Sequence, residues 1–230
     1  MDAGVFEIFG TRYYTYCFGI ILVAPFALWF VGAMIRVLIR ALAGKPVKWY
    51  GPAISAGCTL AMLIAVFWDV YQIGQEATRL CNERGGLHVY RTVEAESFLG
   101  AGSIEKWAKY GFKFVEDESL KGKFKLFMEN GKPTYKMVDK LVSRYELSMS
   151  RGYISPRISI LKITVKDRYT NEVLGEGIEY SIDGGWADML FYNATGFTYS
   201  PWICSGEVKK GQIYPSDVVK ATIRPIQKEH

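Results

Sequence analysis

Two apolar stretches near the N-terminus decide the fold: residues 13–35 read YYTYCFGIILVAPFALWFVGAMI, and residues 49–68 read WYGPAISAGCTLAMLIAVFW. Neither stretch contains a charged residue. About 20 apolar residues in a helix suffice to cross the hydrocarbon core of a bilayer. The sequence therefore predicts two transmembrane helices, over about residues 14–35 and 52–71, joined by a cytoplasmic loop over residues 36–51. Residues 1–71 form the predicted membrane anchor, with the lipid bilayer as its partner.

The first apolar stretch has a second interpretation, a cleaved signal peptide with Ala41–Ala43 as its small-residue cleavage site. A signal peptide carries basic residues before its apolar core, whereas this N-terminus holds Asp2 and Glu7. Arg36 and Arg40 also separate the apolar core from the supposed cleavage site. We therefore expect the helix to be retained.

The loop between the two predicted helices indicates their orientation. It carries Arg36, Arg40, Lys45 and Lys48 and no acidic residue. Lys and Arg close to membrane ends stay preferentially in the cytoplasm. We therefore expect a multi-pass protein of a bacterial inner membrane, with the N-terminus and the C-terminal domain in the periplasm.

Small residues recur at every fourth position of the second stretch, at Ala53, Gly57, Ala61 and Ala65. They share one helix face, where small side chains let another helix approach closely. Packing of the two helices against each other is the favoured interpretation, and a face for another subunit is the alternative. No ionisable residue lies deep in either stretch, so an ion pathway formed by this chain alone is not expected.

The net charge of +5 comes mainly from the loop between the helices, since residues 36–48 contribute +4. Residues 72–230 carry only +3, with basic and acidic residues well interleaved. A nucleic-acid-binding surface needs clustered Lys and Arg that contact phosphates. The charge pattern therefore indicates membrane topology, and no nucleic-acid partner is expected.

Residues 72–230 form the second predicted domain. Short alternating segments bounded by Gly, Asn and Asp predict strands, and Asn130-Gly131 between two extended runs is a strong hairpin signal. A second hairpin is predicted over residues 157–166 and 173–182, and the last strand over Val218–Ile223. The predicted fold class is α+β, a two-helix transmembrane hairpin followed by a mainly antiparallel β extracytoplasmic domain with one or two short helices.

Four cysteines divide into two pairs by position. Cys17 and Cys58 lie in the apolar stretches, where a free Cys behaves as a small apolar residue. Cys81 and Cys204 lie in the predicted periplasmic domain, which is an oxidising setting. We expect a Cys81–Cys204 disulfide, and two reduced thiols are the alternative.

Catalytic groups are few in this sequence. Its two histidines are His88, within a predicted strand, and the terminal His230, and a structural His on a sheet face is the favoured interpretation of His88. The acidic run Glu116–Glu118 is expected to be solvated. No Gly-rich phosphate loop or metal-ligand spacing occurs. The prediction is therefore a protein that is not an enzyme, with no catalytic residue, metal or cofactor.

Aromatic residues are dense toward the C-terminus. They occur at Trp186, Phe191, Tyr192, Phe197, Tyr199 and Trp202. Aromatic side chains dominate the energetics of protein interfaces. Packing over the sheet is the favoured interpretation of this segment, and a candidate interaction surface is the alternative.

Part of the predicted periplasmic domain resembles a known group of proteins. Residues 81–93 follow the pattern Cys-x3-Gly-Gly-x3-Tyr-x-Thr-Val. Together with residues 167–176 and 184–186, they are similar to segments of small, largely uncharacterised envelope proteins of proteobacteria. The resemblance implies a bacterial envelope origin and a two-cysteine framework, and it implies no activity.

The predicted membrane anchor has no ion pathway, and the predicted periplasmic domain has no recognisable catalytic groups. Both observations favour a binding function. The leading hypothesis is a non-enzymatic inner-membrane accessory or assembly subunit of an envelope complex, with a membrane or periplasmic protein partner. The alternative is an immunity or exclusion protein that binds a toxin or phage component. A second alternative is an envelope enzyme with an unrecognised site.

Overall fold

The computed structural model describes residues 4–8, 11–15, 18–46, 48–196, 201–204 and 212–226. In this part the helices are α1 (Phe18–Leu42), α2 (Tyr50–Arg84), α3 (Glu105–Ala108), α4 (Trp186–Thr195) and α5 (Pro215–Thr222). The strands are β1 (Gly4–Ile8), β2 (Thr11–Thr15), β3 (Gly86–Val89), β4 (Val93–Ala95), β5 (Phe114–Ser119), β6 (Gly122–Glu129), β7 (Lys132–Met137), β8 (Tyr145–Ser155), β9 (Ile158–Asp167), β10 (Val173–Ile182), β11 (Trp202–Cys204) and β12 (Ile223–Pro225). Two long apolar helices, a few short helices and antiparallel strands confirm the predicted α+β class.

Contacts within the chain divide it into two compact units. The helical unit consists of residues 1–80, 154–158 and 181–202. The β-rich unit consists of residues 81–153, 159–180 and 203–230. The sequence predicts the end of the membrane anchor near residue 71, on the basis of charge and hydropathy. That boundary describes where the chain leaves the membrane, and it stays a prediction.

In the helical unit, α1 and α2 are both long and apolar enough to cross a membrane. Buried Val23 of α1 and Val66 of α2 belong to one apolar cluster, and the Thr59 hydroxyl donates to the carbonyl oxygen of Phe26 at 3.1 Å. Other apolar side chains point outward: Leu28 is 72% exposed and Ile39 is 60% exposed. Contiguous apolar surface of this kind marks contact with lipid or with another protein.

The small residues of α2 lie on its open side. Ala53, Gly57, Ala61 and Ala65 are all exposed, and a Cβ added at Gly57 would meet no atom within 4 Å. In the helical unit, α1 therefore does not pack against the small-residue face of α2. The alternative, a face for another subunit, stays a prediction.

The sequence pattern does not predict α4, which lies in the helical unit and begins against α2. The Trp186 backbone N–H donates to the Asp69 carboxylate at 2.5 Å, and the Trp186 indole N–H donates to the Ala65 carbonyl oxygen at 2.7 Å. At Gly185 a Cβ would lie 2.6 Å from Val70 Cγ2 and 2.9 Å from Asp69 Oδ1. Only glycine therefore lets the chain approach α2 this closely.

The strands are mainly antiparallel. One sheet has the order β11-β10-β9-β8, with β3 pairing antiparallel to β10. β5, β6 and β7 form an antiparallel meander, and β12 pairs parallel with β4. β1 and β2 form an antiparallel hairpin ahead of α1, which the sequence pattern does not predict. Asn130 and Gly131 turn β6 into β7 with φ values of 51° and 75°, which confirms that hairpin. The predicted neighbours over residues 157–182 are confirmed as β9 and β10.

The core of the β-rich unit is built around three aromatic rings. Phe98 packs edge-to-face on Trp107 and Phe112, with ring centroids 4.8 Å and 5.1 Å away. Edge-to-face pairs add stabilisation beyond the area they bury. Apolar residues from the strands and α5 surround them, among them Val115, Ile163, Val165, Leu174, Val218 and Ile223.

The Cys81–Cys204 disulfide lies within the β-rich unit. The two Cα atoms are 6.0 Å apart, the cysteines are separated by 123 positions, and both are 4% exposed. The pair agrees with the sequence-based pairing. Cys58 is free, and Cys17 lies outside the described residues.

The predicted strand over Val218–Ile223 is wrong, because residues up to Thr222 form α5. Pro215 stands in the first turn, where its fixed φ suits a helix, and the Asp217 carboxylate accepts the Tyr214 N–H at 2.9 Å. Val218 is fully buried on the inner side of the helix. Local apolar residues therefore reach the core from a helix rather than from a strand.

Candidate functional site

In the described part of the β-rich unit, β8 has an open strand edge. In the described residues β8 has one neighbouring strand, β9, and it ends the order of its sheet. Leu99 covers only the start of the free edge: its N–H donates to the Tyr145 carbonyl oxygen at 2.9 Å, and its own carbonyl oxygen accepts from Leu147 N–H at 2.8 Å. An uncovered edge offers main-chain groups to a strand of another chain.

Large side chains on β8 are exposed beyond this covered part. Met149 is 62% exposed and Tyr153 is 83% exposed. Native proteins usually protect edge strands with charge, with proline or with a covering element. Here Arg151 is the one charged residue between Met149 and Tyr153, so the edge combines apolar and aromatic contact groups.

A cavity of about 440 Å³ lies beside this edge. Leu147 and Met149 line one side of it, and Trp107 and the first residues of α5 line the others. The turn at residues 100–103 contributes two glycines and small side chains, which leave room at the mouth. We call this cavity and the free edge of β8 together the β8 groove.

A buried carboxylate holds the chain that leads into β8. Glu116 is 1% exposed, and it accepts the Val142 N–H at 3.0 Å and the Ser143 N–H at 2.7 Å. The expectation that Glu116 is solvated is therefore wrong. Buried polar groups that satisfy each other specify one arrangement of the backbone, and here that arrangement positions the start of β8.

The β8 groove has the two components of strand addition. An extended peptide on a sheet edge gains affinity from main-chain hydrogen bonds, while alternate side chains enter neighbouring pockets and give specificity. The free edge supplies the first component, and the cavity beside Leu147 and Met149 supplies the second. No motif in the sequence marks this surface, because its parts come from residues 100–107, 147–153 and 214–216.

His88 lies in a different, open pocket of the β-rich unit, with Arg84, Tyr90, Lys162 and Glu176. Its Nε2 is 3.0 Å from the Arg84 carbonyl oxygen, so the imidazole bonds to the main chain. The Glu176 carboxylate pairs with Lys162 and accepts the Tyr90 hydroxyl at 2.8 Å. A His–carboxylate hydrogen bond of the kind that activates a nucleophile is not among these contacts.

The ionisation of this cluster follows from the same contacts. Burial alone would raise the pKa of Glu176, but its hydrogen bonds with Lys162 and Tyr90 outweigh burial and hold the pKa below its ordinary value. The hydrogen bond to the Glu176 carboxylate, with burial, raises the pKa of Tyr90. Near neutral pH, Glu176 is therefore an ionised carboxylate and Tyr90 a neutral phenol, which suits a surface ion-pair cluster.

The aromatic segment divides between several places. Trp186 and the partly buried Phe191 and Tyr192 belong to α4 in the helical unit, and half-buried Trp202 lies in β11. Phe197 and Tyr199 lie outside the described residues. Trp186 packs on α2 through the contacts to Asp69 and Ala65, so this part of the segment packs on a helix rather than over the sheet.

Metal ligands do not cluster in the described part of the chain, where no group of three His, Cys, Asp or Glu residues could hold an ion. Comparison of the chain with protein-family models, with curated proteins and with solved structures yields no match. The chemistry of the surfaces therefore carries the functional inference.

Proposed function

We propose that this chain is a non-enzymatic accessory or assembly subunit of a bacterial envelope complex, anchored in the inner membrane, that binds a protein partner through its β-rich unit. The β8 groove is the observation that carries the proposal. Its free main-chain groups and exposed Met149 and Tyr153 suit an extended segment of a partner. Such a surface binds without performing chemistry.

The membrane placement in this proposal is multi-pass, with the N-terminus and the β-rich unit in the periplasm. α1 and α2 supply the two candidate spans. The basic residues between them favour a cytoplasmic connection. The Cys81–Cys204 disulfide suits an oxidising compartment.

The open small-residue face of α2 supports a partner within the membrane. Ala53, Gly57, Ala61 and Ala65 share one face of α2 and are exposed, within a stretch of the helix that carries no charged residue. Helices in lipid associate where small side chains let their backbones approach closely. An accessory subunit that meets its complex both in the membrane and outside it accounts for both surfaces.

Replacing Tyr153 by Lys is expected to reduce co-purification of the partner at least about tenfold, because each 1.4 kcal/mol of lost contact weakens binding tenfold. The tagged full chain is captured from membranes in mild detergent, and the bound proteins are quantified by mass spectrometry. Tyr135→Lys is the matched control, since Tyr135 is 71% exposed on β7, which ends the order of another group of strands.

A membrane partner that is stoichiometric with wild type and Tyr135→Lys, and depleted with Tyr153→Lys, supports the proposal. Retention of the same partner by both variants contradicts the role of the β8 groove. Capture of a secreted toxin instead of a membrane complex would favour the immunity function. A chain that is always captured alone contradicts the accessory-subunit proposal.

Orientation has its own test, a pair of variants that each carry one free cysteine beside the Cys81–Cys204 disulfide, in a chain with Cys17 and Cys58 changed to Ala. Lys132→Cys, on β7, is expected to react with a membrane-impermeant maleimide in cells whose outer membrane has been permeabilised. Lys45→Cys, between α1 and α2, is expected to react only after lysis, because the basic connection stays cytoplasmic. The reverse pattern of labelling would contradict the proposed orientation.

A further inference from the structure

The connection between α1 and α2 forms a cavity of about 230 Å³ within the helical unit. Three cationic side chains line it: Arg36 and Arg40 from α1, and Lys48 from the chain entering α2. Among the described residues, no acidic side chain lines it. We call it the basic pocket.

Apolar and aromatic groups form the rest of the pocket. Trp29 and Tyr50 are 45% and 64% exposed, and Ala33 and Pro52 are buried. The lining of the pocket therefore combines cationic and apolar groups, which suit the two parts of a phospholipid: the phosphate diester and the start of an acyl chain.

Membrane topology and the helix dipole explain why basic residues occur in this connection, but they do not explain why three of them line one cavity. Basic residues retain a loop in the cytoplasm, and Arg40 in the last turn of α1 interacts favourably with the negative end of the helix dipole. Neither role brings Lys48 to the same cavity. Arg36 and Arg40 also stand one helical turn apart, where like charges repel each other, so an anion between them would remove an unfavourable interaction.

We propose that the basic pocket binds the phosphate of an anionic phospholipid, such as phosphatidylglycerol, at the cytoplasmic surface of the membrane. Basic pockets between membrane helices on the cytoplasmic side are suited to anionic headgroups. The site goes beyond the proposed function: it depends on placement of α1 and α2 in the membrane, and it does not depend on the protein partner.

The test uses the purified full chain in neutral detergent, titrated separately with dioctanoyl phosphatidylglycerol, dioctanoyl phosphatidylcholine and inorganic phosphate. Binding is measured by displacement of a fluorescent phosphatidylglycerol. Phosphatidylglycerol is expected to bind saturably and more tightly than phosphatidylcholine. Arg40→Gln and Lys48→Gln are each expected to weaken it about fivefold, since each basic group near a lipid surface contributes about that factor.

Lys45→Gln is the matched control, because Lys45 lies in the same connection and carries the same charge but does not line the pocket. Far-UV circular dichroism and the disulfide on a non-reducing gel show whether each variant is folded. Equal binding of the two lipids would overturn the proposal, and so would a loss in Lys45→Gln as large as in Lys48→Gln. If inorganic phosphate displaces the fluorescent lipid as well as phosphatidylglycerol does, the pocket binds free phosphate, and the proposal of a lipid ligand is overturned.

These outcomes are separate from those of the proposed function. Lipid binding in detergent is measured without a partner and without regard to orientation. Loss of lipid binding therefore leaves the capture result on Tyr153 unchanged, and a failed capture leaves the lipid result unchanged.

Discussion

Replacing Cys81 and Cys204 together by Ser is expected to lower the free energy of unfolding of the β-rich unit by about 4 to 5 kcal/mol, the value that the chain-entropy model gives for a loop of this size. The two cysteines stand 123 positions apart and close most of the β-rich unit into one loop. Without the link, the unfolded chain regains the conformational freedom that the disulfide removes. Both residues are 4% exposed, so the change also affects packed surroundings.

This effect is measured by chemical denaturation of the full chain in detergent, with near-UV circular dichroism as the signal that reports unfolding. Changing both cysteines avoids leaving one buried thiol without its partner. Cys58→Ser is the control, since Cys58 is free and lies in α2. A reducing agent should bring wild type to the denaturation midpoint of the double variant. A double variant that unfolds at the wild-type denaturant concentration would contradict a stabilising disulfide.

Gly100→Ala is expected to destabilise the β-rich unit by about 4 kcal/mol, combining backbone strain with overpacking. Gly100 has a φ of +96°, which disfavours any side chain. An added Cβ would fall well inside van der Waals distance of the Leu147 carbonyl oxygen. Neither backbone can move freely, because Gly100 N–H donates to the Glu116 carbonyl oxygen at 2.8 Å and Leu147 N–H donates to Leu99.

Gly102→Ala separates the two contributions to this loss. Gly102 has a φ of +64°, but a Cβ there would meet nothing within 4 Å. Its loss should be only about 1 kcal/mol, the cost of a left-handed backbone for a residue with a Cβ. Thermal unfolding of both variants in the same detergent provides the comparison. A Gly100→Ala variant no less stable than Gly102→Ala would contradict the prediction. It would show that the backbone at Leu147 moves away from the added Cβ at little cost.

Features that depend on nearby residues were predictable from sequence. Apolar stretches of about 20 residues have few soluble alternatives, so the two long helices followed from composition. Asn130-Gly131 predicted its turn because both residues accept positive φ. The cysteine pairing also followed, since composition separated the four cysteines into two settings.

Features that depend on distant residues were not predictable in this way. Glu116 looked like a surface charge, yet it accepts backbone hydrogen bonds from residues 26 and 27 positions away. Val218–Ile223 has a β-rich composition, but Pro215 and the Asp217 cap begin a helix there. The aromatic segment could not reveal that Trp186 meets Asp69 across 117 positions.

The sequence by itself therefore determined the two apolar helices, the neighbouring strands β6–β7 and β9–β10, and the partners of the disulfide, because hydropathy, turn chemistry and cysteine position are local properties. The tertiary structure decided which surfaces stay open: the edge of β8 beside its cavity, the small-residue face of α2 and the pocket that gathers Arg36, Arg40 and Lys48. The physical reason is that a surface stays open only where no other segment packs on it, and the packing of separate segments also decides which charges and apolar groups meet.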